Sequence, residues 1–243
     1  AHSGRGSAGT GLVLPPWKDK SEGRGVGGGY AQSGLGLGPS LVLLLVDYTK
    51  ILENGTLALI DQAKECQSKL RFTDAESIDK FRYYRAVVMA FEAINTLADR
   101  YSALAFEMAE KETDPVRKEE LKTIGETCAW VPRHKPRTFR EAIQCFWFQF
   151  LMLSPSTTLP GGRFDQYMYP YYKADLEAGR ITKEEAIELL CCMRLKDMEL
   201  NRTSGKNNRK KNAGFAKWHN FIIGGVKPDG TDATNDLSYM LLD

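Results

Sequence analysis

The run Thr138 to Leu153, TFREAIQCFWFQFLML, restricts the fold more than any other stretch. Thr138 and Glu141 stand in capping-box spacing, which predicts that a helix starts there. Phe146, Trp147, Phe148 and Phe150 then leave no polar side broad enough to face water. A helix apolar nearly all round must be enclosed on most sides, so this one is expected inside a larger body than this chain supplies.

The neighbouring sequence provides further helices. Residues from about Asp47 to Leu70 carry Leu and Ile at helical spacing, interrupted at Glu53-Asn54-Gly55. A long helix is predicted from about Asp74 to Lys111. Its Phe81, Tyr84, Val88, Phe91, Ile94 and Leu97 recur every three or four positions and read as a core-facing stripe. Asp114 and Pro115 mark another start, as N-cap and first helical residue. Thr182 and Glu185 repeat the capping box. Phe221 to Val226, FIIGGV, is the best strand candidate, followed by a turn at KPDGTD and a restarting helix. Few strands, each flanked by helix, favour an α/β body with parallel strands over a helical bundle.

Residues 1–46 form a separate, irregular unit, with twelve of the chain's 22 glycines in the first forty positions. No phosphate-loop motif is present there, so the glycines read as close-packed loop or, less simply, as backbone lining a site where Cβ atoms would obstruct. The chain does not begin with Met and stops inside an apparent helix at LSYMLLD, so an internal fragment is expected.

Charge excludes some partners. Formal net charge is +2, from 33 basic and 31 acidic residues, so no global field draws the chain to nucleic acid or an anionic membrane. No apolar run is longer than the six residues of Leu41 to Val46, far short of the ~20 residues of a bilayer span. Five cysteines, no C-x-x-C pair and no export signal point to reduced thiols and a cytoplasmic location. Adjacent Cys191 and Cys192 point about 100° apart on a helix and read as small buried apolar groups, not a redox pair. No spacing suggests a metal site.

Two polar clusters remain. The basic run with Arg202, Lys206, Arg209, Lys210, Lys211 and Lys217 beside Trp218 and His219 reads as a solvated loop, with nucleic-acid binding by a helical scaffold as the alternative. GGRFDQYMYPYY, Gly161 to Tyr172, joins a double glycine, Arg163, Asp165 and four tyrosines. It is expected to turn at Pro160-Gly161-Gly162 and enter a helix that starts after Met168 or bends at Pro170. Arg163 and Asp165 would tie down orphan backbone groups or bind an anion.

The motifs PRTFREAIQCFWFQFLM, PGGRFDQYMYPYYKADLEAGRITKEEAIELL and FIIGGVKPDGTDATNDLSYMLLD, with VDYTKIL before them, together resemble consecutive landmarks of the glycyl radical enzymes, the pyruvate formate-lyase-like superfamily. The resemblance implies that residues 47–243 are the N-terminal part of a ten-stranded α/β barrel wrapped by helices. It implies a catalytic Cys loop and a radical-storing Gly loop, neither of them in this chain, so no catalytic residue is assigned and the chain alone would be inert. It also implies a radical-SAM iron–sulfur activating enzyme as partner, with no cofactor held by this chain, and it allows small accessory subunits and a homodimer. In that family setting GGRFDQYMYPYY becomes a structural junction in which Arg163, Asp165 and Tyr167 fix the loop. The run from Met193 to Val226 looks most similar to the benzylsuccinate and alkylsuccinate synthases, which implies toluene or an alkane and fumarate as substrates. Met198, Leu200, Phe215 and Tyr30 are then candidate lining residues of a dry, apolar pocket, against the alternative of ordinary core packing. An arylacetate decarboxylase or a diol-type dehydratase of the same superfamily is the alternative enzyme.

Overall fold

The computed structural model describes residues 46–73, 75–153, 160–200 and 220–242. Among the described residues seven helices appear in chain order: α1 Tyr48–Ser68, α2 Ala75–Lys111, α3 Pro115–Trp130, α4 Phe139–Leu153, α5 Phe164–Glu177, α6 Lys183–Glu199 and α7 Asp236–Met240. Tyr30, Phe215, His219 and the basic run lie outside the described residues.

Local chemistry sets most helix ends. Asp114 caps α3 by accepting from the Val116 amide, with Pro115 at the first helical position. Thr182 and Glu185 form the full reciprocal box on α6. At α4 only half the box forms. Thr138 accepts from the Glu141 amide at 3.2 Å, but the Glu141 carboxylate turns to the Arg137 amide at 2.6 Å and to its guanidinium. Helix α5 closes with Gly179 at φ 66°, where the Gly179 and Arg180 amides return to Leu176 and Asp175 in a Schellman pattern. Thr182→Ala is expected to lower stability by about 1 kcal/mol, read as a shift in the urea midpoint with unchanged slope.

The interruption seen at Glu53-Asn54-Gly55 is a break within α1. Gly55 sits at φ 75°, ψ 164°, outside helical space. The amides freed there are not wasted: Thr56 donates to the Pro132 carbonyl at 2.8 Å and Leu57 to the Arg133 carbonyl at 3.2 Å. The break therefore docks α1 on the turn between α3 and α4.

Helix α2 runs about 55 Å at 1.5 Å per residue and packs chiefly against α1 and α3. Its expected apolar stripe is only partly enclosed, since Ile94 is buried while Phe81, Tyr84, Val88, Phe91 and Leu97 are half-buried. The fully buried line is instead Ile94, Ala98, Ser102, Ala105 and Ala109. Small side chains let the helix axes approach closely, so they are the ones that vanish from solvent. A Cβ on Gly125 of α3 would come within 2.9 Å of the Phe106 ring.

Helix α4 is the hub. Phe139, Phe146, Phe148 and Phe150 are each no more than 1% exposed. The Phe146 ring lies 4.7 Å from Tyr48, 5.2 Å from Phe164 and 6.0 Å from Phe221, centroid to centroid. One side is less enclosed, with Trp147 and Leu151 half-buried and Met152 exposed. The strand expected at Phe221–Val226 does not form among the described residues. That segment makes one parallel bridge, Phe221 with Gly162, and one antiparallel bridge, Val226 with Asp232. Successive left-handed residues at Gly224 and Gly225, φ 64° and 86°, turn the chain before a ladder can grow. Of the two outcomes expected at Pro170, a helix start after Met168 is not what forms. It lies inside α5, which already starts at Phe164. The proline leaves the Gln166 carbonyl without its helical donor, a loss offset by the burial of Phe164, Met168 and Tyr172 on either side.

Candidate functional site

The densest set of long-range polar contacts joins the start of α5 to residues 220–238. Pro160-Gly161-Gly162 makes the approach. The Gly161 amide donates to the Asn220 carbonyl at 2.9 Å, and the Ile222 amide to the Gly162 carbonyl at 2.8 Å. A Cβ on Gly161 would fall 2.0 Å from the Phe221 ring, which explains the glycine there. Phe221 in turn stacks on Phe164 at 4.8 Å with planes 9° apart, and the Arg194 guanidinium lies 4.8 Å from its centroid.

Arg163 and Asp165 then grip one turn from both sides. Arg163 donates from Nη2 to the Gly224 carbonyl at 2.8 Å and from Nη1 to the Val226 carbonyl at 3.0 Å. Asp165 accepts at Oδ2 from the Gly224 amide at 2.6 Å and from the Ser238 hydroxyl. Gln166 donates to the Ala233 carbonyl at 2.8 Å, and Asn235 donates to the Asp165 carbonyl at 3.2 Å. Tyr167 donates to the Gly161 carbonyl at 2.5 Å, closing the loop from beneath. Tyr171 reaches the Leu52 carbonyl at 2.6 Å, and Tyr48 the Pro160 carbonyl at 3.4 Å.

The chemistry this arrangement permits is positioning. Asp165 is completely buried, and its Oδ1 has no hydrogen-bond partner among the described residues. A carboxylate closed off from water in this way is poorly placed to exchange protons with a substrate. Both terminal nitrogens of Arg163 are committed to carbonyls. Burial pushes the Tyr171 phenol up to about 12 and the Tyr167 phenol well above its usual range, with Tyr48 and Asp165 adding to the latter. These phenols stay protonated donors.

Two grooves lie away from this junction. A charged one of about 730 Å³ is lined by Arg117, Arg137, Arg140, Glu141, Asp175 and Arg180 among others. Its floor holds Asp175, which accepts from the Phe139 amide at 2.7 Å and from Arg180 at 2.8 Å. An apolar groove of about 500 Å³ runs along Tyr101, Ile143, Trp147, Phe148, Met193 and Leu200. Of the pocket candidates named from the sequence, Leu200 is half-buried on this apolar groove. Met198 is 66% exposed and does not line it, because it projects from another side of α6. Sequence reasoning missed Gln166, Gly224, Asn235 and Ser238 as partners of the Arg163 turn. The two glycine pairs, Gly161-Gly162 and Gly224-Gly225, were the available signal.

All five cysteines lie within helices. Cys191 and Cys192 are exposed, which corrects the expectation of buried thiols, since α6 turns that part of its surface outward. Cys128 and Cys145 are buried, and burial pushes their thiols up to about 11 and about 12. At pH 8, Ellman's reagent should therefore modify Cys191 and Cys192 quickly in the native full chain and reach Cys128 and Cys145 only in denaturant. Among the described residues no group of His, Cys, Asp and Glu could hold a metal ion, and no helix is long and apolar enough to cross a membrane.

A family model described as pyruvate formate lyase-like matches residues 41–243. The chain belongs to this family. Among curated relatives of this pyruvate formate lyase-like chain is the isethionate sulfite-lyase of Nitratidesulfovibrio vulgaris, 40% identical over 206 residues, covering 81% of this chain and 24% of that protein. Among solved structures, the glycerol-bound B12-independent glycerol dehydratase of Clostridium butyricum superposes with TM-score 0.79 at 35% identity, over 84% of this chain and 26% of its own. A Roseburia inulinivorans protein of 1,2-propanediol dehydration gives TM-score 0.77 at 38% identity, over 80% and 25%. The chain thus spans about a quarter of the length of the relatives it matches. Its fold is a helix-rich segment of the α/β barrel of the glycyl radical enzymes.

Proposed function

We propose that this chain forms part of the helical wall of a glycyl radical lyase. The substrate class is a small molecule with a hydroxyl on one carbon and a leaving group, water or sulfite, on the next. One observation carries the reading: identities of 35 to 40% over four fifths of the chain to a sulfite-lyase and to diol dehydratases. Isethionate, glycerol and 1,2-propanediol share that vicinal pattern. These relatives favour the diol-type alternative over the fumarate-adding synthases expected from the Met193–Val226 run. Most of that run, residues 201–219, lies outside the described residues.

In this reading residues 47–243 supply barrel wall, and the Arg163–Asp165 junction holds the start of α5 against residues 220–238. The radical supplies hydrogen-atom abstraction from the substrate. All five cysteines here lie within helices, which supports the expectation that the loop cysteine of such chemistry is not among them. A radical-SAM activating enzyme is the proposed partner.

The test is the complete native gene product, activated anaerobically by such an enzyme and offered isethionate, glycerol, 1,2-propanediol, and toluene with fumarate. Release of sulfite, or of an aldehyde from a diol, is expected. A succinate adduct, or no turnover of any hydroxy compound, overturns the proposal.

A further inference from the structure

We draw no further inference here: the strongest candidate, the apolar groove between α2, α3, α4 and α6 that meets the charged groove at Arg140 and Cys192, carries nothing because nothing in the structure shows what covers it.

Discussion

Replacing Asp165 by Ala is expected to lower the stability of the chain by about 3–5 kcal/mol. The side chain is 0% exposed and receives two donors, the Gly224 amide and the Ser238 hydroxyl. Removing it orphans both in a place water does not reach, at roughly 1–3 kcal/mol for each buried group left unsatisfied. The void left by the carboxylate adds to this. Asp165→Asn keeps the shape and one acceptor oxygen. Its expected cost is about 1–2 kcal/mol. The order Ala worse than Asn is the signature of a positioning carboxylate. Urea unfolding of the full chain measures it, and amide exchange at Gly224 reports the same loss locally. An Asp165→Ala chain with a wild-type midpoint and an unchanged Gly224 exchange rate would show that the junction does not hold the turn.

Gly55→Ala should cost a similar amount, about 3–5 kcal/mol, for a different reason. With φ 75° and ψ 164°, Gly55 occupies a region that essentially only glycine visits. A Cβ there would lie 2.3 Å from the Arg133 carbonyl oxygen and 2.7 Å from the His134 backbone. Backbone atoms cannot swing aside as a side chain can. Either the turn between α3 and α4 retreats, or α1 straightens and gives up the bonds from Thr56 and Leu57. Gly179→Ala is the control. It has φ 66°, but nothing lies within 4 Å of its Cβ position, so only the left-handed strain of about 1–2 kcal/mol applies. Denaturation midpoints of the two variants separate the contributions. Equal losses would mean that the contact with Arg133 and His134 contributes nothing.

What was legible in the sequence was mostly local. Asp114, Pro115, Thr182 and Glu185 act on amides within a turn of themselves, so their spacing alone located two helix starts. The kink at Gly55 showed as a gap in periodicity, although its partners Pro132 and Arg133 did not. The aromatic run of α4 announced a central helix, and the structure places Phe139, Phe146, Phe148 and Phe150 in the core. Errors came where a local pattern had more than one tertiary outcome. FIIGGV has strand composition, but a ladder needs a neighbour, and Gly224-Gly225 turns away after a single bridge. Large residues on α2 looked like the core stripe, while close packing against α1 and α3 hid the small ones instead.

The Arg163 junction marks the division between the two kinds of information. The amino-acid order by itself determined where most helices begin, which helix is apolar all round, and which family the landmarks belong to, because caps and periodicity act over a few residues. The tertiary structure alone decided that Asp165 meets Gly224 and Ser238, 59 and 73 positions along the chain, and that Cys191 faces water while Cys145 does not. A hydrogen bond needs its partner within about 3 Å in space, whatever the separation along the backbone, and only packing of the whole chain fixes that distance.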